Sequence, residues 1–293
     1  YSIMFKNKLC FKSVLAMLWF SLVGFQSSVF AESVAMITDI QGYVMLTHQN
    51  KRQPAQILDN LTPGDQIEVT ANSKATIVYL DSSNEFLFDQ STLIIKENKP
   101  QLLKGKLLKS NSLLINSGHH NVKIKPINVD YMMVIMRSSN AEAKLKFLTL
   151  NGSRTSMQRP LFKWKPIFKG LTYHFELLDN KGSSLLNTWV KGTELMLPEH
   201  IHLQSGKTYS WEVSVELPNG RAYSNFADFA MISQTEKKRL AQLRPQKNAS
   251  FSKRLVYATI LEQMKLMDDA GAYWKLLAEE RPSQQRLRKM IWR

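Results

Sequence analysis

Leu61-Thr62-Pro63-Gly64-Asp65-Gln66-Ile67-Glu68-Val69-Thr70-Ala71-Asn72-Ser73-Lys74-Ala75-Thr76-Ile77-Val78-Tyr79-Leu80 is the stretch whose reading decides the fold. Pro63-Gly64-Asp65 and Ala71-Asn72-Ser73 supply residues that tolerate positive φ or cap their own backbone, so they read as turns. The runs between them, Gln66–Val69 and Ala75–Leu80, are rich in Val, Ile and Tyr and read as strands. Within the second run Ala75, Ile77 and Tyr79 share one face, and Thr76, Val78 and Leu80 share the other. Both faces are largely apolar, which requires a strand covered on two sides.

The pattern continues on both sides. Val34–Ile40, Tyr43–Thr47, Phe86–Phe88 and Leu93–Ile95 are further β-type runs, broken at Gln41-Gly42 and Asp81-Ser82-Ser83-Asn84. Beyond them, Leu113–Ile115, Val122–Ile124 and Met132–Met136 are short apolar runs, and Lys104-Gly105-Lys106-Leu107-Leu108-Lys109 reads either as a strand or as an anion-facing loop. From Val34 to Ile95 the chain resembles the FecR domain family. The resemblance is carried by the strand pair around Gly42, by Leu61-x-Pro63-Gly64-Asp65-x-Ile67, and by Ala75-x-Ile77-x-Tyr79-x-Asp81-x-Ser83 followed by Ser91-x-Leu93-x-Ile95. Ser82 stands where that family carries Gly, and Glu85 falls near an expected apolar position. The resemblance implies an extracytoplasmic β domain that works by contact with protein or envelope. Gly64, Asp65 and Asp81 read as turn residues.

A second series follows: Leu161-Phe162-x-Trp164, Leu171–Leu178, Leu185–Val190, Glu194–Leu197, Tyr209–Leu217 and Ala222–Ala230. Asp179-Asn180-Lys181-Gly182 and Pro218-Asn219-Gly220 are hairpin tips. Tyr209, Trp211, Val213 and Val215 alternate with polar residues, so that strand has one buried and one wet face. Phe162-x-Trp164, Tyr173-x-Phe175-x-Leu177 and Tyr209-x-Trp211-x-Val213 resemble a fibronectin type III or immunoglobulin-like sandwich, in which Trp164 and Trp211 would be core. A missing strand would come from Asn140–Leu150.

The tail is helical. Ser233-Gln234-Thr235-Glu236 has capping-box spacing and opens a helix to Leu243. Ser250 opens a second, expected to end at Gly271, followed by a third over Ala272–Glu280 and a short fourth after Pro282. Arg254–Pro282, with Ala258, Leu261, Ala270, Trp274 and Pro282, resembles one tetratricopeptide unit. Such a unit cannot bury its faces alone, so the hairpin is expected to pack on the sandwich or on a partner. The end around Arg286, Arg288, Lys289, Trp292 and Arg293 is basic.

At the other end Lys6, Lys8 and Lys12 precede an apolar run, Val14–Phe25, and a small-residue boundary at Val29-Phe30-Ala31. That order reads as a signal peptide cleaved after Ala31, with the mature chain in the bacterial periplasm. Cys10 is the only cysteine and would leave with it, which excludes disulfides, cysteine nucleophiles and zinc–cysteine sites. The formal charge is +15 from 39 Lys+Arg against 24 Asp+Glu; losing Lys6, Lys8 and Lys12 leaves +12.

The expected architecture is therefore mainly β with an α-helical C-terminal tail. It comprises a signal peptide (1–31), a FecR-like domain (32–137), a linker or extra strand (138–159), an immunoglobulin-like sandwich (160–232) and the tail (233–293). No catalytic, cofactor-binding or metal residue is assigned. His119-His120 and His200/His202 lack a third ligand at recognisable spacing. HExxH, Gly-x-Ser-x-Gly and phosphate-cradling glycine loops are absent from the sequence, and Asp268-Asp269 and Glu279-Glu280 read as ordinary helix-end surface.

The reading is a non-enzymatic envelope adaptor that binds an envelope or periplasmic protein. An anionic surface of lipid, lipopolysaccharide or polymer is a second partner class, and nucleic acid is not expected. The alternatives are an accessory role in FecR-type cell-surface signalling and an envelope carbohydrate-active enzyme with an unrecognised site. Oligomeric state is not legible.

Overall fold

The computed structural model describes residues 32–113, 123–126 and 145–291. The segment 1–31 read as a signal peptide, His119-His120, Met132–Met136 and Trp292-Arg293 lie outside the described residues. The described chain is mainly β with a helical C-terminal segment, as expected, and it is organised around two hydrophobic cores.

The first core is wrapped by β1 (Ala35–Gln41), β2 (Val44–His48), β3 (Lys51–Pro54), β4 (Asn60–Leu61), β5 (Gln66–Val69), β6 (Lys74–Tyr79), β7 (Asn84–Ile94) and β8 (Gln101–Ser112). They form one sheet in the order β3-β2-β5-β7-β6-β1-β4, with β8 added along β7. The N-terminal half of β7 pairs with β6 and its C-terminal half with β5, while β8 follows β7 from Asn84 to Ile94. Between the halves the register shifts at Asp89/Thr92 and Gln90 takes φ 42°. A bulge of this kind bends a strand, and here it carries the β7–β8 ribbon from one half of the sheet to the other. The runs at Phe86–Phe88 and Leu93–Ile95 are thus halves of one strand, because the polar Asp89-Gln90-Ser91 interruption makes a corner. β3 was not legible because Lys51-Arg52-Gln53-Pro54 is wholly exposed. Backbone geometry builds it: Gln49 and Asn50 both take positive φ at the tip of a two-residue hairpin.

All six residues of Ala75–Leu80 are buried. One face of β6 looks into the sheet's own interior. The other is covered by the tail: α1 (Gln234–Leu243), α2 (Phe251–Gln263), α3 (Met267–Glu280) and α4 (Gln285–Ile291) share the first core. Nearly every residue of α2 from Phe251 to Leu261 is buried, the signature of a helix enclosed on all sides. The tail therefore buries its apolar face in the first β module, while polar contacts from Arg154 and Ser156 to Lys265 and Asp269 also join it to the second; the expectation of a seat on the sandwich or on a partner is corrected for the apolar face alone. The reason is geometric, since the two-sided apolar character of β6 needs a cover that, among the described residues, the helices supply.

Ser233 and Glu236 form the expected capping box, and Ser250 caps α2. The α2–α3 turn falls at Met264-Lys265-Leu266, where Lys265 takes φ 60°. Gly271, expected to end α2, lies inside α3.

The second core lies between a five-stranded sheet and a two-stranded one. The larger has the order β12 (Ser184–Lys191), β11 (Thr172–Asp179), β14 (Thr208–Glu216), β15 (Ala222–Met231) and β9 (Arg154–Thr155); the smaller pairs β10 (Leu161–Lys163) with β13 (Glu194–Met196). Trp164 and Trp211 are 1% and 0% exposed, as expected of core residues. Leu145, Phe147 and Leu150 join the same core, with Phe147 stacked on Trp211 at 3.8 Å between ring centroids.

Candidate interaction surfaces

β8 holds the longest run of exposed residues in the described sheet. Among the described residues its strand partner is β7, and Gln101 to Ser110 are all exposed. Leu102, Leu103, Leu107 and Leu108 are 37–51% exposed along this edge. Lys96 and Lys99 in the preceding turn and Lys104, Lys106 and Lys109 on the strand give this segment five lysines, against Glu97 in the turn and Glu85 and Asp89 on the neighbouring β7. The Lys104–Lys109 segment, left open between strand and loop, is strand. Gly105 is obligatory within it: it takes φ +97°, and a Cβ there would lie 2.1 Å from the Gln90 carbonyl oxygen.

The seam between tail and first sheet collects the buried charge. Asp39 is 8% exposed and receives both Nε and Nη2 of Arg281, at 3.0 and 2.9 Å. The Arg281 guanidinium also lies 4.6 Å from the Phe251 ring centroid. Arg286 pairs with Asp59, whose other carboxylate oxygen accepts from the Gln56 amide. The Thr38 and Ser252 hydroxyls meet at 2.8 Å. Beside them a cavity of about 300 Å³ is lined by Asp39, Thr76, Glu85, Lys109, Glu280 and Arg281, among others.

Glu85, 4% exposed, is the residue that fell on an expected apolar position. Burial pushes its carboxyl above the ordinary range, against the pull of Lys109 and a hydrogen bond from Ser252. The cavity holds carboxyl groups, but both oxygens of Asp39 are committed to Arg281 and Glu280 is paired with Arg254 at 2.5 Å. This geometry is that of an ionic latch.

Asp65 accepts from the Thr62 amide, as its turn reading expects, and also meets His48 Nδ1 at 2.7 Å. Asp81 is exposed, near Lys123. His200 and His202 are both exposed, and among the described residues no group of three His, Cys, Asp or Glu side chains is close enough to share a metal ion. Asp269, read as plain surface, accepts from the Ser156 hydroxyl at 3.2 Å, and burial raises its carboxyl. Among the described residues no helix is long and apolar enough to cross a membrane.

A further exposed feature escaped the sequence reading. Trp189 on β12 and Phe226 on β15 are 69% and 72% exposed on the outward face of the five-stranded sheet. Leu185-Leu186-Asn187-Thr188-Trp189-Val190 has apolar residues at both parities, so the pattern does not say which face is wet.

No protein-family model matches the chain, and no curated protein matches it. Among solved structures, a cytokine receptor complex is similar at 10% identity over 70% of this chain and 94% of that one, with a TM-score of 0.24. A β-1,2-glucanase from Parabacteroides distasonis is similar at 7% identity over 73% of this chain and 39% of its own, also with a TM-score of 0.24. Likenesses at this TM-score carry no argument about function.

Proposed function

We propose that this chain is a non-enzymatic adaptor of the bacterial envelope, exported to the periplasm by its N-terminal segment, and that its first module is FecR-like and binds partners at the β8 edge. The observation that carries the reading is β8 itself. A long exposed strand with one partner among the described residues offers main-chain donors and acceptors, and its leucines offer apolar contact. Strand addition draws affinity from those two sources without any sequence motif. The five lysines of the β7–β8 hairpin select an extended, acidic segment of an envelope protein by charge complementarity.

A photo-crosslinking residue placed at Leu103 or Leu108 in living cells tests this, with one at Lys181 on a distant hairpin tip as reference. The expected result is one defined adduct from β8 positions, mapped by mass spectrometry to an acidic extended segment and lost in the Lys99→Glu/Lys104→Glu variant. Equal, charge-insensitive labelling at all three positions would overturn the reading.

A further inference from the structure

The outward face of the five-stranded sheet is ordered as a grid. Strand register places Trp189, His174, Ser214 and Ser224 in one row across β12, β11, β14 and β15, and Asn187, Glu176, Glu212 and Phe226 in the next. The two aromatic rings thus stand at diagonally opposite corners of a polar field that is three strand spacings wide, roughly 14 Å. The field is organised by its own hydrogen bonds. His174 Nε2 lies 2.7 Å from Asn187 Oδ1, Asn187 Nδ2 donates to Glu176 Oε1 at 3.4 Å, and the His174 ring lies 5.1 Å from the Trp189 ring. One row further, the Ser210 hydroxyl donates to Asp228 at 2.6 Å.

We propose that this face is a binding platform for a pyranose oligosaccharide that carries no acidic groups. An exposed indole matches the apolar C–H face of a sugar ring, a contact that buries area without needing a pocket. The flanking carboxylates, amide and imidazole match equatorial hydroxyls, each of which donates and accepts, and charged acceptors make the stronger bonds. Oriented beforehand by the cross-strand network, these groups lose little freedom on binding.

Charge complementarity settles which saccharide. Glu176, Glu212, Glu216 and Asp228 face outward on these strands against Lys191, so the platform is locally acidic on a strongly basic chain. It repels the uronic or phosphorylated polymers that the remaining surface attracts. Among the described residues, nothing on this face supplies a paired acid and base around a dry cleft; the inference is of binding alone, independent of the β8 reading.

Titration calorimetry of the full chain with cellohexaose, chitohexaose and hexagalacturonate tests it. Binding of a neutral hexamer is expected, weakened at least tenfold by Trp189→Ala and less by Glu176→Gln, with the melting temperature unchanged because Trp189 is exposed. Three outcomes would overturn the proposal: neither neutral hexamer binding, Trp189→Ala binding as the parent does, or hexagalacturonate alone binding with sensitivity to Lys99→Glu/Lys104→Glu.

Discussion

Glu85 and Arg281 show how single residues act in opposite directions at the seam between the tail and the first sheet. A carboxyl whose pKa is raised on folding favours the protonated folded state, so its penalty is absent below the ordinary value of 4.5 and grows as pH rises through the raised one. Lys109 and Lys253 oppose this and Asp39 adds to it, while Lys74, Glu280 and Arg281 face the same cavity. Glu85→Gln should therefore match the parent's stability below the ordinary carboxyl range and exceed it as pH rises through the raised value, the difference levelling above it. Urea unfolding across that range checks the slope, and a constant difference would mean that the carboxyl is not held protonated. Arg281→Ala leaves Asp39 buried without its guanidinium, and the expected loss is about 2–3 kcal/mol, below that of a fully enclosed pair because Arg281 is partly exposed. Asp39→Asn in the same background should recover part of that loss; strict additivity would argue against the latch.

At the scale of elements, β7 and β8 act as a single bent ribbon whose corner depends on one glycine. The close approach of Gly105 to the Gln90 carbonyl and its positive φ leave no room for a side chain. Gly105→Ala should cost about 1–3 kcal/mol and loosen the ribbon near the bulge. Hydrogen exchange should report this as faster amide turnover in 88–108 with α2 unaffected; uniform protection would refute a local role. The helices show the complementary case. Glu236 serves both the α1 capping box and a bidentate pair with Arg154 of β9 at 2.9 and 2.7 Å, and that Arg154 contact holds its carboxyl down at about 2.

For the whole molecule, the chain leaves the first core, builds the sandwich, and returns to close the first core with its last helices. Leu255, Val256 and Leu261 of α2 are at most 2% exposed, and burying each contributes about 1.5–3 kcal/mol. A chain truncated after Ile232 uncovers Met36, Val78 and the rest of that face at once. It should aggregate, or bind a hydrophobic dye while losing its cooperative melt. A monodisperse truncated protein with a sharp transition would show that the first sheet stands without its helical cover.

What the sequence by itself determined is local. Turn chemistry at Pro63-Gly64-Asp65, Asp179–Gly182 and Pro218-Asn219-Gly220, the period of two in Tyr209–Val215, and the caps at Ser233 and Ser250 each act within a few residues, so their reading needs no partner. The demand that Ala75–Leu80 be covered twice was equally legible, because both parities of that strand are apolar. Only the tertiary structure decided which element supplies the cover, because α2 lies far along the chain and its nearly all-round burial follows from packing. The same holds for the continuity of β7, for the buried position of Glu85, and for the outward turn of Trp189, whose strand has apolar residues on both parities. These are settled by long-range register and by competition among apolar faces for one interior, which no short window of sequence contains.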